Sequence, residues 1–467
     1  MRNDFVNSRN EADITLAVVD DHSLVIGSVD QIQMLHIQTV PLSETVRRIA
    51  HQESTHTFAV LTTRIEKASR RGTIPVRSSA STTAPNPTIS RMPEGVTNLL
   101  APDQEGDEVE IFSVLLLDEN TFEVVHAYQL CPREHAVSIT SCTLGSVNPA
   151  VYYVVGTAFV FMNEKEPTKG RILVFQVQSG RLNLVSEKLE NGAVFQVVSL
   201  NSSKLVASIR STVSVFDFTE EGELKQECTY TNNIMSLYIK TKGDFILVGD
   251  LMRSFKLLSY KQDTPQLEEI SMDTKLNPVF LTAIEMIDDE NYIGADGRHV
   301  FVCQKNSEAT VEADLAYMLQ PSRIYIGDNV NVFCRGSLVM DHPGSSVSPF
   351  QVKPLLYGTV TGALGLIGQL SSDSFSLLSK IQSRMATLIK SVGNISHEVF
   401  RSFANEHKTQ LSEGFIDGDL VEKFLDLKQS QMEDICKGIK STEIQGAEVE
   451  VTVEDVVKLI EDLSRLH

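Results

Sequence analysis

A short apolar strand ending on Gly, Ala or Ser, a tight turn or loop, and a second apolar strand recur seven times along this chain. The copies are LVIGSVDQIQMLHI (24–37), FAVLTTRIEKA (58–68) resuming at VEIFSVLLLD, YVVGTAFVF (153–161) resuming at GRILVFQV, LVASIRSTVSVFDF (205–218), FILVGDLMRSFKLLSY (245–260), YIGADGRHVFVCQ (292–304) and LLYGTVTGALGLIG (355–368). Between them lie further runs such as EVVHAYQL, AVSITSCTL, AVFQVVSL, IMSLYIK and VFLTAIEMI. Runs of this length, rich in Val, Ile, Leu, Phe and Tyr and punctuated by Gly, Asn, Asp or Pro, read as strands. They amount to about four per unit of ~40 to 50 residues, which is what one propeller blade requires. The fold class expected is therefore mostly β: a seven-bladed β-propeller over 1–370, the small residue in each unit allowing close backbone approach near a crowded central channel. The first blade is short of a strand at the amino end, which would expose a sheet edge.

Three stretches depart from the pattern. Residues 69–107 contain SSASTTAPNPTISRMPEG and an acidic run, too polar to order themselves, and read as a disordered loop within one blade. Glu308 to Gln320 has helical spacing and would decorate a turn. After Leu370 the period changes from two to about 3.6, with Phe375, Leu378, Ile381, Met385, Leu388, Ile389 and Val392 on one face. DGDLVEKFLDL (417–427) and TVEDVVKLIEDLSRLH (452–467) continue it, with Thr452 and Asp455 at capping-box spacing. A small α-helical C-terminal domain over 371–467 is expected.

Composition narrows the function classes. A formal charge of −20 repels a phosphate backbone. The nearest basic group, Lys67, Arg70, Arg71 and Arg77, falls in the Ser/Thr/Pro-rich stretch. No apolar run is long enough to span a bilayer, and MRNDFVNSRNEAD is not a secretory signal, so a nuclear or cytosolic protein is expected. The six cysteines are scattered without a C-x-x-C pair and read as buried, reduced thiols. Walker, H-E-x-x-H, G-x-S-x-G and kinase signatures are missing. Gly362, Gly365 and Gly368 belong to a repeated strand pair, and Asp288, Asp289 and Glu290 to a hairpin turn. These observations favour a binding protein over an enzyme, with no cofactor and no metal.

Several motifs carry a resemblance: NNIMSLYIKTKGDFILVGDLMRS (232–254), VNVFCRGSLVM (330–340), LYGTVTGALGLI (356–367), IKSVGNISHEVFRSF (389–403) and GFIDGDLVEKFLDL (414–427). The chain resembles, over nearly its whole length, the carboxy-terminal family shared by cleavage/polyadenylation and splicing-factor subunits and the large subunit of the UV-damaged DNA-binding complex. In that family three propellers accompany a helical domain; the first and third hold substrate receptors and the middle one docks the cullin-4 scaffold. This sequence is similar to the third propeller and helical domain alone, so cullin docking is not implied for it. The resemblance implies an adaptor in protein ubiquitination and DNA repair, located in nucleus and cytoplasm. Its partners would be WD-repeat substrate receptors, with DNA reached only through a partner; an RNA-processing subunit is the alternative.

The receptor-binding positions implied are Tyr152, Ala158, Glu164 and Glu166 in VYYVVGTAFVFMNEKEP, an apolar floor beside two carboxylates for a basic receptor helix. GAVFQV supplies Phe195, NNIMSLYI supplies Met235 and Leu237, and DLMRS supplies Leu251 and Arg253. Phe280 of NPVFL stands where the family commonly shows Trp, keeping the aromatic ring and losing the indole N–H. VNVF adds Asn331 and Val332, and YGTV adds Val360.

Overall fold

The computed structural model describes residues 15–20, 23–28, 39–67, 87–96, 108–145, 149–162, 164–201, 203–273, 279–338, 350–389, 395–404, 409–442 and 448–465. Strands β1 (Thr15–Asp20) and β2 (Ser23–Ser28) form an antiparallel hairpin. Six sheets follow. Sheet I contains β3 (Thr45–Gln52), β4 (Thr57–Lys67), β5 (Thr88–Ile89), β6 (Glu108–Asp118) and β7 (Val124–Gln129). Sheet II contains β8 (Glu134–Leu144), β9 (Ala150–Phe159), β10 (Gly170–Gln178) and β11 (Arg181–Glu190). Sheet III contains β12 (Val194–Leu200), β13 (Lys204–Ile209), β14 (Thr212–Phe218) and β15 (Leu224–Tyr230). Sheet IV contains β16 (Ser236–Lys242), β17 (Phe245–Asp250), β18 (Ser254–Lys261) and β19 (Gln266–Asp273). Sheet V contains β20 (Leu281–Met286), β21 (Asn291–Asp296), β22 (His299–Lys305) and β23 (Tyr317–Tyr325). Sheet VI contains β24 (Val330–Arg335), β25 (Leu355–Thr359) and β26 (Leu364–Ile367). In sheets II to VI each strand pairs antiparallel with the next, and the first strands β3, β8, β12, β16, β20 and β24 lie side by side in that order.

This is a propeller-type architecture, and its core explains the uninterrupted apolar runs. Along β13, Leu205, Ala207 and Ile209 enter the layer between sheets II and III, whereas Val206 enters the layer between III and IV. Along β14, Val213 and Val215 turn one way and Phe216 and Phe218 partly the other. A strand buried on both faces cannot alternate with polar residues. Five such layers join the six sheets. Arg48 on β3 lies within electrostatic reach of Tyr238 on β16, although β8 and β12 separate their strands in the order of packing. Burial pushes the Tyr238 phenol up and the Arg48 charge opposes it.

The recurring glycines lie on the second strand of a sheet, against the neighbouring sheet, whose close approach they permit. A Cβ on Gly156 of β9 would meet Val194 Cγ1 of sheet III at 2.7 Å, and one on Gly294 of β21 would meet the Phe255 ring of sheet IV at 2.4 Å. Of the first repeat, β2 holds LVIGS, while residues 29–38 fall outside the described residues.

Two expectations change. Within the stretch read as disordered, Thr88–Ile89 forms β5, which pairs in parallel with β7, and Ser90 N–H donates to Gln129 O at 2.9 Å. Val96 is fully buried with Cys131, Phe159 and Phe161. Residues 87–96 are ordered because the sheet, not their own composition, supplies the burial; 68–86 and 97–107 lie outside the described residues. The helix expected over 308–320 is the single turn Glu312–Leu315 (α1), and Tyr317 onward is the outer strand of sheet V, whose pairing with β22 overrides the local spacing.

Helix α2 (Ser372–Leu388) begins at Ser371, which accepts from Ser374 N–H, and buries Leu377, Leu378, Ile381 and Met385. Those side chains pack on α4 (Gly418–Val421) after the single turn α3 (His397–Phe400), and on α5 (Gln429–Cys436) and α6 (Val453–Ser464). Thr452 and Asp455 form the capping box of α6. Val392 lies outside the described residues. Backbone bonds of 2.8 Å in both directions between Arg323 and Glu413 tie this helical part to sheet V.

Two histidines give the sheets a pH dependence. Burial, with Arg181 nearby, lowers the His126 pKa; burial also lowers that of His135, aided by Arg47 and opposed by Glu110. His126 Nδ1 accepts from Leu182 N–H at 3.3 Å, which fixes the neutral ring with its proton on Nε2, 3.2 Å from Thr88 Oγ1. A folded-state pKa below the ordinary 6.5 means that the unfolded chain binds protons first. The stability these histidines contribute is present above that value and is lost as pH falls through the lowered ones. The urea midpoint is expected to drop between pH 7.5 and 5.5, and His126→Asn to flatten that slope; an unchanged slope in the variant would remove His126 from the account.

Candidate functional interface

The strand ends on one side of the sheets join into a continuous rim. Glu166, in the β9–β10 connection of sheet II, accepts from Arg210 Nη2 at 2.8 Å and Nε at 3.1 Å in the β13–β14 turn of sheet III. Arg210 O accepts from Ser236 N–H of sheet IV at 2.9 Å. Met252 O, in the β17–β18 turn, accepts from Val279 N–H before β20 at 3.2 Å. Gly297 O, in the β21–β22 turn, accepts from Val330 N–H of sheet VI at 3.1 Å, and Val360 N–H returns to Asn329 O at 2.9 Å. Backbone bonds from sheet III through sheet VI, with the Glu166–Arg210 ion pair linking sheet II, hold these loops so that they present side chains in fixed positions.

The implied receptor positions divide on this rim. Arg253, Phe280, Asn331, Val332 and Val360 are exposed, Phe280 at 55% and Val360 at 66%. Phe195, Met235, Leu237 and Leu251 are half-buried beneath them. Tyr152 and Ala158 are buried at 8% and 3% and offer a partner little surface: Ala158 lies at the rim end of β9, paired with His135, whereas Tyr152 lies near the opposite end, paired with Cys142, its ring packed on Phe218 at 5.2 Å between sheets II and III. The carboxylates of the first motif are also engaged. Glu164 accepts from Thr168 Oγ1 at 2.8 Å inside its own loop, and Glu166 holds Arg210.

Three features escape the sequence. Met162 is 94% exposed, and Ile234 is exposed beside Met235. Asp250, 1% exposed, organises the centre of the rim. Its Oδ2 accepts from the backbone N–H groups of Ile234 at 2.7 Å and Met235 at 3.3 Å; its Oδ1 accepts from those of Met252 at 2.9 Å and Arg253 at 3.1 Å. The signal for it is an Asp at a strand end before a turn, whose carboxylate reaches amides two and three residues on. The outcome is a band of exposed apolar side chains, Met162, Ile234, Phe280, Val332 and Val360, interspersed with Glu166, Arg210 and Arg253. Apolar surface with a charged surround is the chemistry of a protein contact.

Asp288 accepts from the N–H groups of Glu290 and Asn291 at 2.8 and 2.7 Å, closing a turn. Burial pushes the Cys131 thiol up to about 11 and the Cys142 thiol up to about 12, far from a reactive thiolate. Among the described residues, no group of three or more His, Cys, Asp or Glu could hold a metal ion, and no helix is long and apolar enough to cross a membrane.

A family model of the CPSF A subunit region matches residues 111–426. DNA damage-binding protein 1 of Drosophila melanogaster is 42% identical over 458 residues, covering 97% of this chain and 40% of that protein. DNA damage-binding protein 1 of Oryza sativa subsp. japonica is 39% identical and DNA damage-binding protein 1b of Arabidopsis thaliana 38% identical, each over 97% of this chain and 37% of the relative. The chain thus spans about 40% of the length of the curated relatives it matches.

Proposed function

Since this chain belongs to the family of the CPSF A subunit region, we propose that it is a non-enzymatic interaction adaptor whose rim takes up substrate receptors of a cullin-4 ubiquitin ligase. The names of its relatives supply the tie to DNA damage. The observation that carries the reading is the band of exposed apolar side chains held in place by inter-sheet backbone bonds. An amphipathic receptor helix would lay its apolar face across Ile234, Phe280, Val332 and Val360, where central anchors contribute most of the affinity. Glu166, Arg210 and Arg253 would set orientation and association rate. DNA would be reached through the receptor, because a chain of charge −20 attracts phosphate poorly. A nuclear and cytoplasmic location goes with this role.

The test is capture of purified WD-repeat substrate receptors by the folded chain, with the cullin scaffold as a parallel bait. Receptor capture without cullin capture is expected. Phe280→Ala combined with Val360→Asp should abolish it while stability stays within about 0.5 kcal/mol per site, as for exposed positions generally. Undiminished capture by that variant would move the contact off the rim.

A further inference from the structure

Arg210 stands in the β13–β14 turn with φ at 57°, in the left-handed region. Its N–H donates to Ala193 O at 3.0 Å and its O accepts from Ser236 N–H at 2.9 Å, so sheets III and IV fix its backbone from both sides. A Cβ on Gly192 would meet Arg210 Cβ at 3.1 Å and Cδ at 3.4 Å, so that glycine leaves the space in which the arginine stem lies. The guanidinium is thereby aimed at Glu166, whose Oε2 accepts from Nη2 at 2.8 Å and Nε at 3.1 Å. Glu166 is held as firmly. Pro167 follows it and confines its backbone to extended conformations. Glu164 closes the same loop by accepting from Thr168 N–H at 3.3 Å and Oγ1 at 2.8 Å. Both members of the pair stay within reach of a partner, the Arg210 side chain 47% exposed and that of Glu166 49%.

We propose that Arg210 is a specificity-determining residue of the rim: it occupies Glu166 and so excludes a partner's arginine or lysine from that carboxylate. The inference rests on the rim being the partner surface, and names what that surface turns away. The basic receptor helix expected on Glu164 and Glu166 finds the second carboxylate taken. A cation arriving there has to displace a guanidinium seated by two bonds on a fixed backbone, and gains only the exchange of one ion pair for another. It also meets the charges of Lys165, which is exposed, and of Lys169, whose Nζ donates to Asn191 Oδ1 at 2.6 Å. An uncharged partner residue lies over the pair and leaves it intact. The favoured partner therefore joins an apolar face, for Ile234, Phe280, Val332 and Val360, to an uncharged side chain over sheet II.

The probe is the fluorescein-labelled amphipathic peptide Leu-Gln-Ala-Ile-Leu-Gln-Ala-Phe-Leu-Gln, flanked at both ends either by Arg or by Gln. Each form is titrated by anisotropy into the full chain and into its Arg210→Asn and Arg210→Asn/Glu166→Gln variants. Asparagine tolerates the left-handed region, so the turn stays in place. Arg210→Asn is expected to raise the affinity for the Arg-flanked peptide, relative to the Gln-flanked one, about two- to fivefold, the range of an exposed ion pair. The gain should vanish in the double variant and shrink at high salt. Lys261→Asn, which removes a cation paired with Glu268 at the far end of β18, controls for net charge and should leave the ratio unchanged. An unchanged ratio in Arg210→Asn would overturn the proposal, as would a gain that survives in the double variant or an equal gain in Lys261→Asn. Binding of neither peptide to any form would overturn it too, and receptor capture by the unaltered chain then tells whether the rim reading fails with it.

Discussion

Replacing Asp250 by alanine is expected to lower stability by about 3 kcal/mol or more and to loosen the centre of the rim. The reason is the number of donors it serves. Four backbone N–H groups, of Ile234, Met235, Met252 and Arg253, converge on one carboxylate that water scarcely reaches. Each buried donor left without an acceptor costs about 1 to 3 kcal/mol, moderated where the loop can open to solvent. Two of the four belong to the segment entering β16 and two to the β17–β18 turn, so the carboxylate fastens adjoining loops that carry Ile234, Met235 and Arg253. Asp250→Asn keeps the size and offers one oxygen in place of two, which should give a smaller loss. Urea denaturation measures the stability, and hydrogen exchange at residues 234–235 and 252–253 locates the change. An unchanged midpoint with unchanged exchange would mean that the backbone bond from Leu251 N–H to Met235 O, at 2.9 Å, holds the loops unaided. Because Phe280 sits across the Met252 to Val279 bond, receptor capture should weaken as well, a consequence that rests on the proposed interface.

Much of this architecture is legible in residue order. A repeated strand pair with apolar residues on both faces can bury itself only against copies of itself, and the layers between sheets II and VI follow. The change to a 3.6 period after Leu370 marks α2 because Leu378, Ile381 and Met385 share one face. Periodicity is blind to contacts made by tertiary context. Ser90 and Val96 occupy a polar stretch that looks unable to order itself, and they are ordered because distant strands offer a bonding edge and an apolar pocket. The rim has the same limit. Phe280 and Tyr152 are both aromatics in apolar motifs, yet one is exposed and the other is packed on Phe218. Position decides between them: Phe280 stands in the connection just before β20, outside the ladder, whereas Tyr152 lies inside β9 with its ring between two sheets. Asp250 shows only half of its role in sequence: the turn amides of Met252 and Arg253 are signalled by an Asp at a strand end, whereas the distant amides of Ile234 and Met235 leave no trace in side-chain pattern.

Arg171→Met is expected to destabilise the chain by about 3 to 5 kcal/mol, the cost of leaving a buried partner uncompensated. Arg171 and Glu134 are 1% and 0% exposed and meet through two parallel bonds, Nε to Oε1 at 2.6 Å and Nη2 to Oε2 at 2.7 Å. Removing the guanidinium leaves Glu134 with neutral donors alone, among them Thr157 Oγ1 at 2.8 Å and Cys131 N–H at 3.2 Å. The same guanidinium reaches out of the sheet: Nη2 donates to Ser90 Oγ at 2.5 Å and Nη1 to Arg91 O at 3.3 Å, pinning the strap 87–96, and Nη1 also holds Glu187 at 2.8 Å. Two readouts should therefore move together in Arg171→Met, a lower urea midpoint and faster tryptic cleavage after Arg91. The double variant Arg171→Met with Glu134→Met separates the two roles. It removes the orphaned charge, so stability should recover much of the loss, since a buried ion pair often contributes little beyond an apolar pair of similar volume. The strap would still lack its donor, so cleavage after Arg91 should stay fast. Recovery of both readouts would show that the strap is held by β5 and the Val96 pocket alone; recovery of neither would show that the Glu134 bonds to Thr157 and Cys131 matter as much as the ion pair.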